Sequence, residues 1–270
     1  MKEKIKKYSN IMQIALINQI QYKMDFFINI IGCFIPIVVQ SFMWNAIYKS
    51  SSLDIIRGYT LKGLLEYFII SSVVLKTVEG GFEFDICDDI KNGKLDKYIL
   101  QPISYIQYRF SIFFGKKILE LVLTVILVVG LISYKNIIFN EYIEGLRILL
   151  FALALILAVL LNFLVFYSIS LVAFWLHESW GIITASRMVI SILSGGILPL
   201  TFLGNTFEYI LTYLPFKYII YFPIQIFTQI IEYRLILKGY VVQIIWIVIL
   251  IYVSKIIWRK GITSYISTGG

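Results

Sequence analysis

Six runs of apolar residues, at 26–48, 61–78, 111–133, 146–176, 182–203 and 240–258, constrain this chain more than any other feature. A helix needs about 20 predominantly apolar residues to cross the hydrocarbon core of a bilayer, so each run is a candidate span. The run at 61–78 is short, and the run at 146–176 is long enough to tilt or to extend beyond the bilayer. Composition agrees: 59% of the 270 residues are hydrophobic, 15% are charged and the mean hydropathy is +0.85. Soluble domains carry about 45–50% apolar and about 25% charged residues. That balance excludes a secreted enzyme, a nucleic-acid-binding domain and a disordered tail. The expected fold is an all-α integral membrane protein with six transmembrane helices over 26–258.

The segments outside the runs fix an orientation. Residues 1–25 hold Lys2, Lys4, Lys6, Lys7 and Lys23, and their apolar positions Ile5, Tyr8, Met12, Ala15, Leu16, Ile20 and Met24 recur at helical spacing. This predicts an amphipathic helix lying along the interface, with a plain extension of the first span as the alternative. No small-residue cleavage site follows Phe26, which speaks against a signal peptide. With the N-terminus inside, the outer loops hold Lys49, Arg57, Lys62, Lys135, Arg147, Lys217, Arg234 and Lys238, leaving the other sixteen of 24 basic residues on inner flanks. Both termini, including the tail 259–270, are therefore expected in the cytoplasm. The net charge of +8 meets anionic membrane lipids there rather than nucleic acid. Between runs five and six, the stretch 204–239 is interrupted by Pro215 and Pro223, which suits an outer re-entrant or interfacial hairpin. Read as one more span, it would put Arg259 and Lys260 outside.

The spans carry no machinery for chemistry. Glu120 lies inside the third run, three and four residues from Lys117 and Lys116, where pairing on one helix face accounts for it. Lys76, Arg187 and Glu66 sit near span ends, so no acidic relay crosses the bilayer as an ion-coupled transporter would need. No phosphate-binding loop of the G-x-x-x-x-G-K-[ST] type occurs. His177 has no second His or Cys beside it, so neither a metal site nor a catalytic residue is expected. Cys33, in the first run, and Cys87, in a polar loop, are expected as free thiols.

Polar residues concentrate in two places. The loop 79–110 carries the acids Glu79, Glu83, Asp85, Asp88 and Asp89, then Lys91, Gly93, Lys94, Asp96 and Lys97, and breaks at Gln101-Pro102. Phe82, Phe84, Ile86, Ile90 and Leu95 alternate with the charges, which suits either a docking element for a cytosolic partner or a solvated charged loop. Small polar residues gather in the second and fifth runs, at Ser71, Ser72, Ser186, Ser191 and Ser194, with Gly195, Gly196 and Pro199 loosening the fifth. These allow close helix packing, or line a translocation path or gate.

Three segments then resemble one family. GKLDKYILQPIS at 93–104 is similar to a G-x-L-x-x-x-L-x-[RQ]-P-[IL] pattern after the second span of bacterial ABC-2 type exporter permeases. LPFKYIIYFPIQIF at 214–227 resembles their outer L-P-F…P motif, and WRKGITSYISTGG at 258–270 resembles their W-x-x-G-x-x-x-Y…G-G tail. Gln101 stands where arginine is common, so no cation is required there. The resemblance implies an interfacial N-terminal helix, a coupling helix at 79–89 seated in an ATPase cleft, and 93–102 as the turn back into span three. By the same resemblance, Glu79, Asp85, Asp88, Asp89, Lys91, Gly93, Lys94, Asp96 and Pro102 form the coupling loop. Ser71, Ser72, Ser191, Ser194, Gly195, Gly196, Pro199, Pro215, Phe216 and Pro223 would form the path or gate.

A non-enzymatic permease in the bacterial cytoplasmic membrane is the implied function, exporting a hydrophobic or amphipathic substrate with ATP and Mg held by partner ATPase subunits. A second permease, the same or a different chain, would complete the path. A non-transporting scaffold or sensor that recruits a cytosolic partner is the alternative. A secondary transporter is disfavoured by the missing acids.

Overall fold

The computed structural model describes residues 2–21, 23–51, 53–139, 144–176, 178–228 and 231–265. His177, Gly269 and Gly270 lie outside the described residues, as do the side chains of Ile5, Met24 and Cys33. The described chain is almost wholly helical, with α1 Lys2–Gln21, α2 Lys23–Ser51, α3 Leu61–Val78, α4 Phe82–Lys91, α5 Asp96–Ile99 and α6 Tyr105–Phe139 in its first half. The second half holds α7 Gly145–Ser170, α8 Trp180–Leu193, α9 Asn205–Leu211, α10 Tyr221–Thr228 and α11 Tyr233–Ser264. One small strand pair was not foreseen. Strands β1 Ile55–Ile56 and β2 Tyr59–Thr60 pair antiparallel across Arg57 and Gly58, whose φ values of 51° and 87° match a two-residue hairpin turn. Thr60 then starts α3, its Oγ1 accepting the Gly63 N–H at 3.1 Å.

The shortest expected run becomes a helix enclosed by its neighbours. Along α3, Leu64, Phe68 and Val74 are fully buried, and Tyr67 and Val78 nearly so. Its last carbonyls have no partner within the helix. Neighbours supply them: Lys117 Nζ donates to the Lys76 carbonyl at 2.9 Å, and Asn162 Nδ2 to that of Val78 at 2.7 Å. Lys117 also pairs with Glu120, as their spacing predicts. Around the foot of α3, the rings of Phe82, Phe113 and Phe163 pack with centroids 4.7–5.4 Å apart. Helix α1 runs against α6 so closely that a Cβ on Gly115 would overlap the Met12 carbonyl.

Among the described residues, two helices are long and apolar enough to cross a membrane, Gly145–Phe174 and Tyr233–Ser264. The first is α7 continued by a 3-10 turn, Leu171–Phe174. The run at 182–203 is not one continuous helix. The 14 residues of α8 span about 21 Å, short of the roughly 30 Å hydrocarbon core. After Leu193 the chain turns, with Gly195 at φ 82°, into the 3-10 helix Leu200–Leu203. At the other end, α11 begins at Tyr233, so it takes up the last part of the stretch expected as hairpin. No proline follows Pro223, and the Phe222 and Phe174 rings fill the space beside Gly239 and Gly261. Pro223 does not break the hairpin as expected: it lies in the first turn of α10, where no N–H is needed. Outward faces of α2 (Val38, Val39, Phe42) and α11 (Val241, Ile244, Val248) are exposed and apolar, a surface that water does not suit.

Candidate coupling site

The polar loop is built from the foot of α3 outward. Gly80 admits the Phe113 ring where any Cβ would collide, and Gly81, at φ 73°, turns the chain into α4. Phe82, Ile86 and Ile90 recur every four residues on α4 and are buried, forming its inner face. Cys87 joins them with its Sγ 3.6 Å from the Ser170 carbonyl, and burial pushes its thiol up, away from the reactive thiolate form.

Asp89, expected to face a partner, points inward instead, and Glu83 of the same helix is buried as well. Asp89 is buried against Arg109, which pairs with its carboxylate, while Tyr105 donates its hydroxyl to the same oxygen at 2.7 Å. Arg109 also bonds the Asp85 carbonyl oxygen at 3.0 Å and lies 3.5 Å from the half-exposed Asp85 carboxylate. On the other side, Arg187 of α8 reaches Glu79 at 3.4 Å and Glu83 at 3.3 Å. Trp180 adds a contact, its Nε1 donating to Asp88 at 3.3 Å and its ring packing 4.8 Å from that of Phe84. Arg109 and Arg187 were read from sequence only as inner-flank cations; in space they clamp α4 to α6 and to α8. A burial this deep needs a partner for each charge, and an excess of acids beside two lone arginines was the available signal.

Burial raises the Glu83 carboxyl above the ordinary range, with the Arg187 guanidinium opposing. A raised carboxyl binds its proton more tightly folded than unfolded, so stability falls as pH rises from the ordinary glutamate pKa through the higher folded one. Glu83→Gln is expected to remove that decline, flattening the thermal midpoint against pH in detergent. An unchanged slope would assign the decline to another group.

The outer part of the loop carries the exposed groups. Gly93, at φ 67°, ends α4, and the Leu95 N–H bonds back to the Asp89 carbonyl at 3.2 Å. Leu95 is buried, and the Tyr98 ring packs on Tyr105 and Tyr108 at 5.3 and 4.7 Å. With these anchors inward, Ile99, Gln101 and Pro102 are exposed, and Leu100 is 85% exposed. Lys94 is exposed beside them, whereas Lys91 and Asp96 are half-buried. Sequence reading missed Leu100, because an apolar residue in a loop carries no sign of which way it faces.

The path candidates do not share one cavity within this chain. Ser71 bonds the Phe68 carbonyl of its own helix, and Ser72 faces a different space, between α2, α3 and α6. Ser194, Gly195 and Gly196 are buried together at the end of α8. The Ser194 carbonyl accepts the Tyr221 N–H at 2.9 Å, that of Gly195 accepts the Tyr67 hydroxyl at 2.5 Å, and that of Ser191 accepts the Gly196 N–H at 2.8 Å. Pro199, Pro215 and Pro223 are buried and Phe216 half-buried. Gln243 of α11, fully buried, fastens the chain near Tyr218 to α7 by donating to the Ala154 and Tyr218 carbonyls at 3.1 Å each.

A helical protein whose outer faces are apolar belongs to the class of membrane proteins. The chain belongs to the ABC-2 family transporter proteins, whose family model matches residues 34–269. No curated protein and no solved structure gives a match. Membership makes it a membrane protein of an ABC transporter, in a family whose ATPase activity typically resides in a separate subunit.

Proposed function

We propose that this chain is the permease subunit of an ATP-driven exporter that moves a hydrophobic or amphipathic substrate across the bacterial cytoplasmic membrane. The carrying observation is the loop 79–110: a helix clamped by Arg109 to α6 and by Arg187 to α8, with an exposed apolar tip at Leu100. A push on such a tip is transmitted to both helices rather than absorbed by a loose loop. Partner ATPase subunits hold ATP and Mg, dimerise, and shift the spans between two packings. Asp85, Asp88, Lys94, Leu100 and Pro102 form the contact, and Glu79, Asp89 and Lys91 sit behind it.

In this reading six segments cross the membrane, both termini are cytoplasmic, and a second permease completes the path. The fifth span is broken, α8 continuing through 194–203, which is tolerated in a bilayer where the irregular backbone is buried and bonded. Ser194 to Gly196 meet that condition against Tyr67 and Tyr221. The stretch 204–232 forms the outer re-entrant piece.

Extraction of the tagged chain in mild detergent is expected to bring down a protein with a phosphate-binding loop, together with ATP hydrolysis that the isolated chain lacks. Hydrolysis by the purified chain alone, or reproducible absence of an ATPase, would sink this reading.

A further inference from the structure

A cavity of about 540 Å³ lies between α2, α3 and α6, apart from the coupling loop. Its walls are apolar, including Ile37, Ile69, Leu123 and Leu131, and its lining reaches the surface at Phe34 and Ile126, both exposed. Polar groups gather at one end only. There Glu120 is neutralised by Lys117, and the Thr124 hydroxyl is taken up by Thr77 at 2.6 Å. The Lys76 ammonium lines this end and makes no ion pair among the described residues. Toward the other end, a Cβ on Gly130 would meet nothing within 4 Å. From Glu120 to Leu131 the α6 wall extends about 16 Å.

A long apolar slot, bordered by exposed apolar residues and headed by a lysine, has the form of an acyl chain with an anionic headgroup. A soluble anion would find no polar lining beyond the mouth, and a neutral apolar molecule would leave Lys76 unused. Basic pockets between transmembrane helices are also where anionic headgroups bind. We propose that this cavity holds one acyl chain of an anionic phospholipid, with the phosphate against Lys76. In the orientation proposed above, that lipid belongs to the cytoplasmic leaflet. Its binding needs neither the ATPase nor the second permease, so it stands or falls separately from export.

The test is native mass spectrometry of the full chain, delipidated in detergent and supplied with dioleoyl phosphatidylglycerol or dioleoyl phosphatidylcholine. Wild type is expected to retain one phosphatidylglycerol per chain, with about fivefold preference over phosphatidylcholine. Lys76→Gln should erase that preference. Gly130→Phe, or Ser72→Phe from the α3 side, should lower retention of both lipids, and thermal unfolding confirms that each variant folds. Equal retention of the two lipids by wild type overturns the proposal. So does a preference for phosphatidylglycerol that survives Lys76→Gln, or retention of either lipid that survives both filled variants in folded protein.

Discussion

Arg109→Met is expected to destabilise the folded protein by about 3 kcal/mol, since removing one partner of a buried ion pair strands the other charge away from water. Both side chains are more than nine-tenths buried, so solvent screening offers little relief. Asp89 keeps the Tyr105 hydroxyl, which holds the loss to the lower end of the usual range of about 3–5 kcal/mol. That corresponds to a change on the order of a hundredfold in the ratio of folded to unfolded protein. Asp89→Leu should cost a similar amount by stranding the guanidinium. The double variant should recover most of the loss, because well-packed apolar side chains can replace a buried pair at little cost. Denaturant unfolding in detergent of the wild type, both single variants and the double variant closes the cycle. Simple addition of the two single losses would show that the pair is not coupled and that α4 is held to α6 without it.

Leu100→Asp should leave the fold intact and reduce ATPase capture by at least about tenfold. Leu100 is 85% exposed, so the substitution costs the isolated chain little. Burying a leucine side chain in a partner's cleft contributes roughly 1.5–3 kcal/mol, and an unpaired carboxylate in that place is costly to desolvate. The measurement is ATPase recovered per tagged permease, beside substrate transport in vesicles. Asp89→Asn is the informative comparison: it lies behind the contact, so it should lower stability more than capture. If Leu100→Asp captures as much ATPase as wild type, the tip of the loop is not the contact. The coupling surface would then lie elsewhere, on the exposed side of Asp85 and Asp88.

Much of the helix plan was legible from periodicity and apolar run length. Helix α3 occupies 61–78, the run that gave it, and α7 begins one residue before the expected 146. Boundaries failed where tertiary partners decide them. The fifth run looks continuous because Gly195 and Gly196 are compatible with a short interruption of a helix; its actual end at Leu193 depends on Tyr67 and Tyr221 taking up the freed carbonyls. The last helix reaches back to Tyr233 because ring packing at Gly239 offsets that residue's weak helix preference.

The sequence by itself determined the class of protein, because the length and composition of apolar runs answer to the bilayer and not to any fold detail. It also marked the polar loop 79–110, since charge in so apolar a chain must serve an aqueous surface or be paired. Which of its acids are paired was decided only by the tertiary structure. Asp88 and Asp89 are neighbours in the chain and indistinguishable in a sequence, yet one faces Trp180 and the other is enclosed with Arg109, twenty residues away. Each residue along a helix turns its side chain by about 100° from the one before, so burial falls on one and exposure on the next according to where α6 and α8 stand. That placement, set by packing across the whole bundle, turns a run of acids into a clamped helix with an exposed tip.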